Sequence, residues 1–270
     1  MKSHIPRKRF GQNFLQDEAV IHDIIEAIRP AATDALIEIG PGLAALTEPL
    51  THYVQPVHAI EIDRDIAKQL RARFTTDQLI LHQADALQFD FAQLQVQIAP
   101  QQQLRIVGNL PYNISTALLF HLARFHAIIE DMHFMLQKEV VERIVARPAT
   151  SDYSRLSVML QYRFAMHKIL DVLPNAFYPA PKVNSAVVRI HPYPTPPFIA
   201  KDETQFALLV GKAFSQRRKT LRNNLRFITD AQFIAAHLDP ARRPETVSVE
   251  EFVRLSNILL KSEGNTLNNS

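Results

Sequence analysis

The chain is 270 residues long, 47% hydrophobic and 21% charged, with a formal net charge of +3, which leaves room for one large domain and a smaller one in an ordinary soluble protein. It has no cysteine, which excludes disulfides, thiolate zinc sites, iron–sulfur clusters and the covalent thiolate route to carbon methylation of pyrimidines. No apolar run approaches the roughly 20 residues of a membrane helix, and no apolar core follows the basic stretch Met1 to Phe10, so a cytoplasmic protein with no membrane partner and no secretory signal is expected.

Apolar residues at helical spacing (Val20, Ile24, Ile25, Ile28) predict a helix over 15–29, stopped by Pro30. A strand–helix alternation follows. Strands are predicted at 35–39, 57–62, 79–82, 104–107 and 132–136, with helices between them, notably 65–74 and 114–125. Such spacing means βαβ units and a largely parallel sheet. After helices at 138–145 and 155–162, the segments 165–172 and 185–190 read as a final antiparallel pair, joined by a proline-rich connection from Pro174 to Pro181. Pro192 to Pro197 makes a stiff linker. Beyond it the chain reads helical at 203–214, 220–227, 231–237 and 249–260, the last opened by a capping box at Ser248–Glu251. The expected fold is α/β: a Rossmann-like, mostly parallel sheet with a C-terminal antiparallel pair over 1–195, and a small all-helical domain over 196–270.

Three acidic residues close three successive strands beside a glycine turn. Glu38 precedes Gly40-Pro41-Gly42, Glu61 ends the second strand 21 residues beyond Gly40, and Asp85 follows the third. The proline between the glycines departs from a dinucleotide fingerprint, and a carboxylate at Glu38 repels a pyrophosphate but suits a cation. S-adenosylmethionine carries an ammonium and a sulfonium and no phosphate. Gly40 and Gly42 let the backbone approach its amino-acid part, Glu61 is spaced to accept from both ribose hydroxyls, and Asp85 could accept from its adenine amine. The bland alternative for each acid alone is a helix cap or a solvated strand end.

Asn109-Leu110-Pro111-Tyr112 follows the strand at 104–107. It presents a side-chain amide, a turn carbonyl and an aromatic ring at the carboxyl end of a strand, where open α/β sheets bind ligands. Two in-plane acceptors over a ring are what an exocyclic amine on a flat base needs, so the motif reads as a site for methyl transfer to adenine N6. Phe177 is read as a second stacking face, with a core aromatic as its alternative, and Lys182 as a phosphate contact. From Lys212 to Arg226 there are six basic residues and no acidic one, among them Arg217, Arg218, Lys219 and Arg222. This basic helix is read as an RNA contact, with a solvated helical face as the alternative. Eleven histidines show no ligand spacing on a helix, so no metal is expected.

Taken in order, the blocks Arg7–Leu15 (RKRFGQNFL), Glu38–Glu48, Glu61-Ile62-Asp63, Ala84-Asp85-Ala86, Asn109–Ser115 (NLPYNIS), Phe177–Ser185 (FYPAPKVNS) and Arg217–Arg222 (RRKTLR) resemble the small-subunit ribosomal RNA adenine dimethyltransferases over nearly the whole chain. The chain departs from the pattern at Ala44, where many methyltransferases have a third glycine. The resemblance implies a class I methyltransferase sheet, S-adenosylmethionine as cofactor, and Gln12, Asn13 and Leu15 folded over it as a lid. It also implies a cofactor site lined by Gly40, Gly42, Glu61, Ile62, Asp85, Ala86 and Asn109. The reaction it implies is transfer of two methyls to each of two adjacent adenines near the 3′ end of 16S rRNA, on an assembling small subunit, by a monomer. A DNA adenine-N6 methyltransferase and an assembly factor that keeps the fold are the alternatives.

Overall fold

The structure is a computed structural model that describes residues 12–266, with side chains as far as 260. Its chain order is β1 (Phe14–Leu15), α1 (Glu18–Ile28), β2 (Ala35–Ile39), α2 (Thr47–Leu50), β3 (Val57–Glu61), α3 (Arg64–Arg73), β4 (Leu79–Gln83), α4 (Phe91–Ile98), β5 (Leu104–Asn109) and α5 (Ser115–Ala123). Then come β6 (Ile129–Gln137), α6 (Lys138–Val145), α7 (Arg155–Gln161), β7 (Phe164–Val172), β8 (Phe177–Tyr178), β9 (Ser185–Pro192), α8 (Glu203–Ala213), α9 (Leu221–Asn224), α10 (Asp230–Ala235) and α11 (Val249–Thr266).

Seven strands form one sheet in the order β4-β3-β2-β5-β6-β9-β7. The pairs β2/β3, β3/β4, β2/β5 and β5/β6 are parallel, and β9 runs antiparallel to β6. β2 and β3 are buried at every residue, as helices on both faces of a parallel sheet require. The strand order reverses between β2 and β5, and a crevice at their carboxyl ends is where such sheets bind ligands.

The chain divides into two compact units, one through Val141 plus 165–192, the other 142–164 plus 193 onward. The division at 192/193 lies close to the linker predicted from the prolines. The segment 142–164 departs from the expected boundary and belongs to the helical unit. Its Tyr153, Val158 and Tyr162 are buried in one cluster with Phe206, Leu209 and Phe252, and Gln161 Nε2 donates to the carbonyls of Ile144 and Ala146 at 2.9 and 2.8 Å. Apolar burial, not chain continuity, assigns the segment.

Four readings differ from expectation. The first helix starts at Glu18, because Asp17 caps it by accepting from the amides of Ala19 and Val20. It ends at Arg29, which is left-handed (φ 49°) just before Pro30. Phe14 and Leu15 instead pair antiparallel with Tyr178 and Phe177 of the proline-rich connection in a two-stranded sheet. α4 was not predicted, although Asp90 caps it with bonds to Ala92 and Gln93 at 3.0 Å. Nor is 212–226 one basic helix: α8 stops at Ala213 and α9 begins at Leu221, so Arg217, Arg218 and Lys219 sit in the loop between them. The capping box at the last helix is present, with Ser248 N–H donating to Glu251 Oε2 at 2.8 Å and Glu251 N–H to Ser248 Oγ at 3.2 Å.

At the amino edge of the sheet the Arg105 side chain is buried against two carboxylates. It donates to Asp131 through Nε and Nη2 (2.9 Å each), to Asp34 through Nη1 (2.6 Å), and to the carbonyls of Ile28 (2.7 Å) and Arg29 (3.2 Å) that end α1. Burial works against its charge, but Asp131 and then Asp34 hold the guanidinium's pKa above its ordinary value. All five N–H donors have partners, the condition under which a buried charge is tolerated.

Candidate active site

A cavity of about 280 Å³ lies at the carboxyl ends of β2, β3, β4 and β5, walled by residues of the segment leading into β1. The turn after β2 is built from left-handed residues: Gly40 (φ 70°), Gly42 (φ 53°) and, without a glycine's freedom, Ala44 (φ 73°). Ala44 is an L-residue in the left-handed region, which costs roughly 1–2 kcal/mol. A Cβ on Gly42 would come within 3.2 Å of the Phe14 ring, so a side chain there would have to push that ring aside by a few tenths of an ångström.

Acidic groups end three strands of this edge. Glu38 is almost wholly buried; burial pushes its carboxyl up to about 7, against the pull of the Thr47 hydroxyl that donates to it at 2.6 Å. Burial likewise raises Glu61, while the backbone N–H of Asp63, donating to Oε1 at 2.8 Å, pulls it down. Asp63 caps α3 and accepts from Gln12 Nε2 at 3.3 Å. Asp85 lines the same cavity and accepts from the Leu87 amide at 2.9 Å.

Asn109 is the last residue of β5. Its Nδ2 donates to the Asn13 carbonyl at 3.1 Å. That bond assigns the amide orientation and leaves Oδ1 as the end free to accept. The turn that follows is pinned by the Leu110 N–H to the Met135 carbonyl on β6 (3.1 Å) and by Ser115 Oγ to the Tyr112 carbonyl (3.1 Å). Tyr112 is half-buried, and its phenol hydroxyl hydrogen-bonds Ser185 Oγ at 2.6 Å. Behind the turn, Gly108 leaves no room for a side chain: a Cβ there would lie 2.4 Å from the Ile39 carbonyl.

The structure thus brings Gln12, Asn13, Leu15, Gly40, Gly42, Glu61, Ile62, Asp85, Ala86, Asn109, Leu110 and Tyr112 to one cavity, with Glu38. Phe177 is not among its lining residues. It is buried in the apolar core with Phe14, Leu15 and Val187, because β8 pairs with β1 and alternation turns Phe177 inward and Tyr178 outward. The expectation of a second stacking face at Phe177 is corrected to a core aromatic. Lys182 is exposed. In the helical unit, Arg217, Arg218, Lys219 and Arg222 are all exposed; Arg222 pairs with Asp230 at 2.7 Å and Arg217 donates to the Ser151 carbonyl. Residues given no role from the motifs are Phe14, Thr47, Gly108 and Ser185, although Phe14, Thr47 and Ser185 lie within matched blocks and Gly108 adjoins one.

A doubly wound sheet with a glycine turn after β2, acids at three strand ends and a cavity at the switch point defines a class I methyltransferase that uses S-adenosylmethionine. The donor set fits that cofactor, since the buried carboxyls suit an ammonium and hydroxyls rather than a phosphate. Residues 3–261 match the ribosomal RNA adenine dimethylase family. The chain is 56% identical over 258 residues to the ribosomal RNA small subunit methyltransferase A of Laribacter hongkongensis, covering 95% of this chain and 97% of the relative. It is 58% identical over 260 residues to that of Chromobacterium violaceum, covering 96% and 97%. Among solved structures it is similar to a dimethyladenosine transferase from Plasmodium falciparum (TM-score 0.73, 23% identity, 94% of this chain and 98% of that one). It is also similar to the 23S rRNA methyltransferase ErmE (TM-score 0.70, 25% identity, 92% and 99%). The chain belongs to the ribosomal RNA adenine dimethylase family. It is an S-adenosylmethionine-dependent enzyme that dimethylates adenine N6 in ribosomal RNA, and the DNA-methylating alternative falls away. Among the described residues no helix is long and apolar enough to cross a membrane, and no group of three potential metal ligands occurs.

Proposed function

We propose that the chain methylates two adjacent adenines near the 3′ end of 16S rRNA, twice each, on an assembling small ribosomal subunit in the cytoplasm, and that it does so as a monomer. The names of the relatives support the small subunit as partner. The single observation that carries the chemistry is the Asn13–Asn109 hydrogen bond, which commits Asn109 Nδ2 and leaves Oδ1 to accept.

When bound, the cofactor supplies an electrophilic methyl on a sulfonium. Glu38 holds its ammonium, Glu61 its ribose hydroxyls and Asp85 its adenine amine, while Gln12, Asn13 and Leu15 cover it. Asn109 Oδ1 and the Leu110 carbonyl accept the hydrogens of the target N6. An adenine amine is a weak nucleophile because its lone pair is delocalised into the ring, and two in-plane acceptors favour its pyramidal form. They also stabilise the positive charge that grows on nitrogen, so they act on the transition state more than on the bound base. Tyr112 stacks on the extruded base, a contact worth roughly 1–3 kcal/mol. The alkylated nitrogen then loses its proton to water. The exposed cations Arg217, Arg218, Lys219 and Arg222, with Lys182 on the catalytic unit, hold phosphates.

The test uses small subunits from cells lacking this activity, incubated with the protein and methyl-labelled cofactor. N6,N6-dimethyladenosine at two neighbouring positions is the expected product. Asn109→Ala lowers kcat by about 10²–10³-fold, by analogy with the loss of one oxyanion-hole donor, and leaves cofactor affinity within a few-fold. Equal loss of cofactor and subunit binding would remove Asn109 from the catalytic role.

A further inference from the structure

We infer that Ser185 is a positioning residue for methyl transfer: through its hydroxyl it fixes the position of the Tyr112 ring on which the target base stacks. The inference rests on the stacking role proposed for Tyr112. Tyr112 and Ser185 lie 73 positions apart, on the turn after β5 and at the first residue of β9, yet their oxygens are 2.6 Å apart. Ser185 is fully buried and stands opposite Gln137 at the end of the β6–β9 ladder. The next bond of that ladder, from the Lys138 amide to the Asn184 carbonyl at 2.9 Å, fixes the backbone just before it. The hydroxyl is therefore carried on a rigid strand end, whereas Tyr112 sits half-exposed on a turn at the cavity.

The para oxygen of a tyrosine lies on the axis of its second torsion, so a short hydrogen bond there acts on the first torsion, the one that swings the whole ring, and holds the ring in one place at the cavity. A base stacked on the ring moves with it. A swing of the ring would carry N6 away from Asn109 Oδ1, the Leu110 carbonyl and the methyl together. Misplacement of a reacting atom by about 1 Å costs on the order of 10²-fold in rate, so loss of the bond reads in kcat. The apolar area offered to the base is unchanged, and KM stays where it was.

Steady-state rates on unmethylated subunits are measured for Ser185→Ala, Tyr112→Phe, the double variant and Tyr112→Ala, with S-adenosylhomocysteine affinity by calorimetry. We expect Ser185→Ala and Tyr112→Phe each to lower kcat about tenfold, with KM and S-adenosylhomocysteine affinity within twofold of wild type. The double variant should lose no more than either single one, because both remove the same bond. Losses that multiply in the double variant, or wild-type kcat in Tyr112→Phe, would overturn the inference. If Ser185→Ala does not fold, Tyr112→Phe decides alone, since it removes one oxygen at the cavity rim. Tyr112→Ala separates the two layers: if it loses activity while Tyr112→Phe does not, only the positioning role fails. If Tyr112→Ala also turns over normally, the stacking reading fails with it.

Discussion

The two edges of the sheet treat buried charge in opposite ways. At the amino edge Arg105 meets Asp131, Asp34 and two helix-end carbonyls, and its five donors are all used. At the carboxyl edge Glu38 and Glu61 are buried with only a hydroxyl and backbone amides for company, and burial raises the pKa of both. The close backbone approach at Gly108 also lies at the carboxyl edge, beside the left-handed turn of Gly40, Gly42 and Ala44. A complete set of partners holds the fold together. An incomplete set holds a place for a ligand, at a cost the folded protein carries until the ligand arrives.

Breaking the amino edge should have the largest effect. Arg105→Met leaves the buried Asp131 with only the part-exposed Arg189 at 3.4 Å and takes the cation from Asp34, and should destabilise the protein by about 3 kcal/mol, measured by urea unfolding. A loss below 1 kcal/mol would mean that the edge is not a charge-paired one. The carboxyl edge should respond to pH instead. Glu38 is raised from 4.5 to about 7 in the folded state, so between those values the native protein holds a proton that the unfolded chain releases. Its contribution is fully present below pH 4.5 and is lost as pH rises through 7, up to about 3 kcal/mol. Glu38→Gln should flatten the fall in melting temperature between pH 5 and 8 while weakening S-adenosylhomocysteine binding. Superimposable pH profiles would contradict the assignment. Gly108→Ala forces β2 and β5 apart beside Asn109 and should cost about 1–3 kcal/mol, with a larger loss in kcat than in cofactor affinity. The smallest effect is expected of Ala44→Gly, where relief of the left-handed strain, less the added freedom of the unfolded chain, should gain at most about 1 kcal/mol. A loss in thermal melting would show that no strain is stored there.

The carboxyl edge was also the more legible of the two from sequence. Each strand was a short apolar run, and the residues at its end (Glu38, Glu61, Asn109) were read from position alone, because a strand end and a chemical role coincide in this fold. Ala44 stood out for the same reason, as a gap in a glycine pattern. What stayed hidden depends on partners distant in the chain. Phe14 and Leu15 form a strand only because Phe177 and Tyr178 lie beside them, and a two-residue strand has no periodicity to read. Ser185 finds its partner 73 positions earlier, and Gly108 matters only because Ile39 passes so close. Phe177 is ambiguous in sequence because core and site aromatics have the same side chain and differ only in what surrounds them. The 142–164 segment is ambiguous for a related reason: its tyrosines choose a core that lies later in the chain.

The threading of the sheet constrains how the protein can be made. β9 lies next to β6, but the chain leaves for the helical unit at 142 and returns at 165 before β9 is reached. A nascent chain emerging from the ribosome therefore carries β6 with an open edge while part of the other unit is already being extruded, an exposure that invites mispairing or chaperone capture. Ser185 is delivered with β9, so Tyr112 finds its hydroxyl partner only when that edge is sealed. No single cut in the gene yields either unit as one continuous piece. Fragments ending between 142 and 184 should accordingly be recovered as aggregates or chaperone-bound species, and never as a small working methyltransferase.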